Sequence, residues 1–231
     1  MWGDCKSTDR RDSLDFGVLQ KDLYKGQFFL LHMIKTLIFD FAGVITTSAL
    51  FPRVADVLSK KFGIDKEEFY KTLKSQEKEY LLGNCTTRDF WQNVCQDTQI
   101  SYDDFVREIS WYKINEEVLN LLRNLKGKYE LVLLSDNYDA LFQAISNDKR
   151  LQGIFDYSFY SHQLHMVKVY DEEKIFNHVL KSIKIGPDNC VFIDDKEINL
   201  ASARKLGIHT ILFKDIIQLK KELAAFSVNV D

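Results

Sequence analysis

The stretch KTLIFDFAGVITT, Lys35 to Thr47, runs apolar through Leu37, Ile38 and Phe39 and stops on one carboxylate, Asp40, before the small pair Ala42 and Gly43. A short continuous apolar run bounded by a glycine-containing turn reads as a strand of a parallel sheet covered on both faces. Its carboxyl end then carries Asp40. An acid at the end of a buried strand loses hydration and is rarely placed there for packing, so it marks a candidate site.

Downstream the patterns alternate: YELVLLSD reads as strand, YDALFQAISN as helix, IFDYSFYS as strand, EEKIFNHVLKSI as helix, NCVFIDD as strand, NLASARKLG as helix and HTILF as strand. Such alternation predicts an α/β, Rossmann-like, doubly wound parallel sheet. In these sheets ligands sit beyond the carboxyl ends of the strands, and Asp40, Ser135, Asp136, Asp194 and Asp195 stand at three such ends. Between Leu50 and about Leu125 the pattern is helical. RVADVLSKKFG stops at Gly63, DKEEFYKTLKSQEKEYLLG stops at Gly83, TTRDFWQNVCQ opens on Thr86 or Thr87, and SYDDFVREISWY opens on Ser101. The expected organisation is a core of residues 33–48 and 116–231, with an all-helical cap inserted at 49–115. Residues 1–32 form a polar leader without sustained apolar pattern, expected to be disordered or weakly helical and outside the core.

A chain of 231 residues is long enough to bury a sizeable core. Its 31 basic and 34 acidic residues are interspersed and leave a formal charge of -3, which shows no electrostatic footprint for nucleic acid. Cys5, Cys85, Cys95 and Cys190 lie far apart without a CxxC pair, as reduced thiols filling a core in a cytoplasmic protein would. FFLLHMI, Phe28 to Ile34, is too short for a bilayer span and follows no cleavable signal pattern, so neither a membrane nor a targeting segment is expected.

Carboxylates converging at strand ends suit phosphoryl transfer. An aspartate can take a phosphoryl group from a monoester and pass it to water, if a cation neutralises the clustered charge and donors hold the phosphate oxygens. Asp40 is the candidate nucleophile. Magnesium needs only one or two protein carboxylates, which Asp40 and Asp195 offer, with Asp194 as a further candidate and a backbone carbonyl at Ala42. Gly43 lets the turn after Asp40 bend and aim backbone N–H groups at an anion, while Ser135 and Lys168 can donate to the same phosphate and Asp136 adjoins it.

From about Lys35 to Phe213 these residues resemble the haloacid dehalogenase-like (HAD) hydrolase superfamily. LIFDFAGVI is similar to its first motif, LVLLSDN to its second, Lys168 in HMVKVYDEEKIFNHVL to its third, and VFIDDKEINLASARKLGIHTILF to its fourth. The helical insertion resembles the cap of the subgroup that includes phosphoglycolate phosphatase and the N-terminal phosphatase domain of soluble epoxide hydrolase. The resemblance implies Asp40 as nucleophile, Asp195 as chief magnesium carboxylate and Lys168 as charge clamp. It also implies a phosphatase acting on a small phosphorylated metabolite, sugar phosphates included, by an aspartyl-phosphate intermediate, in a monomer or homodimer. Three departures stand out. Ala42 replaces the acid that most phosphatases of the family carry there, Asp136 follows Ser135 where Asn is common, and KVYDEEKIF lacks the usual Lys-Pro.

Two other readings compete. A 2-haloacid dehalogenase would need an arginine for the substrate's carboxylate, with Arg53 as the early-cap candidate, and a catalytically silent protein would keep the pocket for binding alone. Plainer roles also exist for single residues: Ser135 as a helix cap, Lys168 as a solvated lysine, and His162 and His165 as loop residues rather than proton donors. Trp91, Trp111, Phe90 and Phe105, at helical spacing, are expected in the cap's core. Because the core pattern begins at Lys35, removing residues 1–32 is expected to leave melting temperature and kinetics nearly unchanged; a large loss of thermal stability would show that the leader packs on the core.

Overall fold

The structure is a computed structural model that describes residues 33–47 and 50–230; the expectations for the leader and for Cys5 lie outside the described residues. Five parallel strands form one sheet: β1 (Thr36–Phe39), β2 (Glu130–Ser135), β3 (Tyr157–Tyr160), β4 (Cys190–Asp194) and β5 (His209–Leu212), in the order β3-β2-β1-β4-β5. β1 is central, pairing Phe39 with Leu133 on one side and with Ile193 on the other. The chain fills one side of β1 and then the other, so the carboxyl ends of β1, β2 and β4 open on one crevice.

The strands are apolar throughout because both faces are covered. Leu37, Leu131, Leu133, Val191 and Ile193 pack on one face, against Leu119 and Leu122 of a helix at Glu116–Leu125, Leu141 of another at Asp139–Asn147, and Leu219 of the last at Ile216–Ala225. Ile38, Val132, Leu134 and Phe192 face the other way, onto Phe176 and Val179 of Glu173–Ile183 and Leu200 of Glu197–Lys205. The expected doubly wound α/β architecture is therefore the one observed.

Between β1 and Glu116–Leu125 lie four helices: α1 (Leu50–Phe62), α2 (Lys66–Leu81), α3 (Thr87–Cys95) and α4 (Tyr102–Ile109). Their starts are built from side-chain oxygens that accept otherwise unpaired N–H groups. Asp65 accepts from Glu68, Ser101 from Asp104, and Thr86 forms a reciprocal capping box with Asp89. The chain enters and leaves this insertion side by side: Thr47 N donates to Lys113 O at 3.0 Å and Asn115 N to Ile45 O at 2.8 Å, around an antiparallel bridge of Thr46 with Ile114.

The insertion shares an apolar cluster with the sheet, to which Val54, Phe90 and Phe105 contribute alongside Leu37 and Phe39. Trp91 is partly buried and donates from its indole N–H to Ile100 O at 3.0 Å. Trp111 departs from the expectation of a core residue: it is 45% exposed, with the Arg53 guanidinium 4.4 Å from its ring centre. Helical spacing gives the face of a helix, but Trp111 lies just beyond the end of α4. Among the described residues Cys95 and Cys190 are buried free thiols, and Cys85 is a half-buried one. Among the described residues no helix is long and apolar enough to cross a membrane.

A polar cluster ties the insertion to the sheet layer. The Tyr80 ring stacks on Tyr138 at 4.5 Å, the Tyr80 hydroxyl meets that of Thr87 at 2.6 Å, and Thr87 N donates to Asp139 Oδ2 at 3.1 Å. The Thr87 hydroxyl also donates to Asp139, and Tyr80 donates to the same carboxylate at 3.3 Å. Removing one acceptor strands several buried donors, so Asp139→Ala is expected to lower stability by about 1–3 kcal/mol in urea denaturation. A change within error would show that solvent replaces the carboxylate at no cost.

Candidate active site

β1 ends at Phe39, and the chain turns at once through a single π-type turn, Phe41–Ile45. Asp40 N still donates to Ile193 O at 2.9 Å, so the last peptide of the strand stays in the sheet while the carboxylate projects from its edge. Asp40 is buried, at 3% exposure. Lys168, in a short turn at Lys168–Asp171 ahead of the Glu173–Ile183 helix, is buried too, at 1%. Its ammonium donates to Asp40 Oδ1 at 2.7 Å and to Asp194 Oδ2 at 2.8 Å. That excludes the solvated-lysine reading. A carboxylate on each of two neighbouring strands thus shares one buried cation.

Asp194 is saturated. It accepts from Lys168, from Lys196 N at 2.8 Å, and from Asn199 Nδ2 at 3.1 Å on Oδ1 and 3.0 Å on Oδ2. That fills the roughly four acceptor positions of a carboxylate. Asp195 differs, because its buried Oδ1 has no hydrogen-bond partner. Carboxylate oxygens of Asp40, Asp194 and Asp195 lie within 4.8 Å of one another. An all-oxygen, partly buried trio with an unengaged atom fits a hard divalent cation, and Asp195 and Asp40 would hold it more readily than the fully engaged Asp194.

The charges show the same strain. Burial pushes the Asp40 carboxyl up to about 7, against the pull of Lys168 and with a further push from Asp194. Burial likewise raises Asp136, opposed by Lys168, and raises Asp195, opposed by Lys196. For Lys168 burial works against the charged form, but Asp194, Asp40 and Asp136 outweigh it and hold the ammonium protonated far above neutrality.

Gly43 has a φ of 87°, as a tight turn after Asp40 requires of a glycine, and its N–H donates to Thr46 Oγ1 at 3.3 Å. The residue also supplies space, since a Cβ there would fall 2.3 Å from Asp195 Oδ2. Ser135 is buried at the end of β2, level with Tyr160 of β3. Asp136 follows it, half-buried, with Oδ1 accepting from Lys168 N at 3.1 Å.

Beyond the carboxylates lies a cleft of about 420 Å³ between the sheet edge and the insertion. Ala42, Asp136, Lys196 and Asn199 line it from the sheet side, and Tyr70, Lys74 and Glu77 of α2 face them. Arg53 is not on its wall. Its Nη1 donates to Glu108 Oε2 at 2.9 Å, its Nη2 donates to Glu108 O, and its plane lies over Trp111. His162 Nδ1 meets Asn137 O at 3.2 Å and His165 Nδ1 meets Leu82 O at 2.8 Å, and neither histidine is among the lining residues. Asn199 was missed by sequence reasoning. Its signal was its place in the first turn after the paired acids, where a short amide can reach back to the strand end.

Residues 34–207 match the haloacid dehalogenase-like hydrolase family. The chain is 25% identical over 210 residues to D-ribitol-5-phosphate phosphatase of Bacteroides thetaiotaomicron, covering 83% of this chain and 97% of that protein. It is 37% identical over 89 residues to bifunctional epoxide hydrolase 2 of Rattus norvegicus, a match that spans 38% of this chain and only 15% of the rat protein. Among solved structures, a HAD family enzyme from Bacteroides thetaiotaomicron in complex with magnesium and inorganic phosphate superposes with a TM-score of 0.64 at 25% identity, covering 78% of this chain and 94% of that one.

The buried triad sets a stability test. Lys168→Met leaves Asp40 and Asp194 without their shared cation, and breaking a buried pair in this way is expected to cost about 3–5 kcal/mol in denaturant unfolding with chelator present. A loss below about 1 kcal/mol would show that the two carboxyls are neutral in the folded protein.

Proposed function

The chain belongs to the haloacid dehalogenase-like hydrolase family, and from that premise we propose that it is a magnesium-dependent phosphatase. Its substrate is a small phosphorylated metabolite, with sugar and polyol phosphates the expected class. The observation that carries the reading is the buried Lys168 shared by Asp40 and Asp194, beside an Asp195 oxygen left unengaged.

In this reading Asp40 is the nucleophile. Its backbone N–H bond to β4 holds it in place, while Lys168 favours its ionised form against burial and fixes the orientation of its carboxylate. Asp194 positions Lys168 and is itself held by Asn199 and the Lys196 amide, so it acts as a support. Asp195, with Asp40 and the Ala42 carbonyl, would hold the magnesium ion, which when bound offsets the clustered negative charge and polarises the phosphate oxygens. Ser135, at the end of β2, and Lys168 donate to the transferred phosphoryl group. Asp40 forms the aspartyl phosphate, and water then releases inorganic phosphate.

The dehalogenase alternative lacks its carboxylate clamp, because Arg53 is engaged by Glu108 and Trp111 away from the cleft. The similarity to the Bacteroides ribitol-phosphate phosphatase, spanning nearly all of that protein, favours a phosphomonoester and leaves the identity of the metabolite to a substrate panel. A cytoplasmic location and a monomeric or homodimeric state accompany this proposal.

Turnover of p-nitrophenyl phosphate, with chloride release from a 2-haloacid measured in parallel, tests the assignment. The expected result is phosphate release that stops in excess chelator and returns with magnesium, abolished by Asp40→Asn in folded protein. Asp195→Asn should shift the magnesium requirement upward. Full turnover in chelator, or in Asp40→Asn, would sink the mechanism; chloride release would install the dehalogenase, and inactivity with tight phosphate binding the silent binder.

A further inference from the structure

We propose that Asp136 is a further catalytic residue, which gives a proton to the leaving oxygen of the substrate in place of the acid that Ala42 cannot supply. The proposal rests on the phosphatase reading above. Its starting point is the register of β1 and β2, in which Phe39 lies beside Leu133. Three residues beyond Phe39 is Ala42, and three beyond Leu133 is Asp136. The strands end before either is reached, yet both residues line the same wall of the cleft. Where one strand end presents a methyl group, its neighbour presents a carboxyl.

That carboxyl is held but not used up. Lys168 N donates to Oδ1 at 3.1 Å and fixes its orientation, while among the described residues Asp136 makes no salt bridge. Burial raises its proton affinity, with Lys168 opposing. A phosphate group arriving beside it adds negative charge and favours the protonated form further. A neutral carboxylic acid next to the scissile ester can donate a hydrogen bond, whereas an ionised one would repel the substrate.

The other acid on the wall and the two nearby histidines are engaged elsewhere. Glu77, the other acid on the wall, is paired with Lys74 on α2. His162 and His165 point their Nδ1 atoms at backbone carbonyls and are not among the lining residues.

The step balances without a further reactant. Asp40 attacks phosphorus, the bond from phosphorus to the ester oxygen breaks, and that oxygen leaves as an alcohol with the Asp136 proton. The Asp136 carboxylate then takes a proton from the water that attacks the aspartyl phosphate, which returns free Asp40, inorganic phosphate and a protonated Asp136.

Leaving groups separate this role from a structural one. A positioned general acid contributes about a hundred- to ten-thousand-fold where the departing oxygen is basic, and little where it leaves unaided as nitrophenolate does. In single-turnover experiments with magnesium, Asp136→Asn should slow phosphoryl transfer from an alkyl phosphate by about that factor, while the first-turnover burst of nitrophenolate stays within about tenfold of the parent rate. Equal slowing of both substrates, or no slowing of the alkyl ester, would overturn the proposal. If Asp136→Asn fails to melt cooperatively, Asp136→Ser gives the same two readings. A parent protein that turns over neither ester would bring down the phosphatase reading itself, an outcome separate from a variant that spares both.

Discussion

The arrangement depends on one buried ammonium. Lys168 is almost sealed from solvent and sits between the carboxylates that close β1 and β4. Removing three charges from water is expensive, and only their mutual contact with a full set of hydrogen bonds makes such a cluster tolerable. Asn199 and the Lys196 amide complete that set around Asp194. Asp136 adds a link by fixing the Lys168 backbone, so the segment that delivers the lysine is tied to β2 while its side chain joins β1 to β4. Three strand ends are thereby fastened through one residue.

Much of this was legible from residues alone, for a physical reason. A strand buried on both faces must be apolar, so an acid at its end is conspicuous, and Asp40, Asp194 and Asp195 stood out against LIF and VFI. The helical insertion was equally plain, since Ser101 caps the helix it was expected to open and Thr86, one of two residues expected to open the next-earlier one, caps that. Less legible was anything set by contact between distant segments. Gly43 was read from its own turn, and the close approach of the Asp195 carboxylate, far along the chain, left no local signal there. Asn199 carried no periodic signal, and Trp111 followed helical spacing past the end of its helix.

The two acids of the fourth motif show how neighbours in sequence acquire different work. Asp194 ends β4 with its side chain turned into the cluster, and every acceptor position is filled. Asp195, one residue on, has left the strand and keeps an unengaged oxygen. Alternation along an extended chain sends successive side chains to opposite sides, so a paired acid at a strand end naturally yields one buried partner and one that can meet a ligand.

The two chain segments that join the insertion to the sheet run side by side, bonded through Thr47 and Lys113 and through Asn115 and Ile45. The bridge of Thr46 with Ile114 lies between those two bonds, so entry and exit form one short ladder. The insertion also meets the sheet layer at the end of α2, where the Leu82 carbonyl accepts from His165 and Gly83 lies so close to the His162 carbonyl that a Cβ would fall 2.3 Å from its oxygen. Only a residue without a side chain lets the two segments meet there, and a methyl group would have to push them apart.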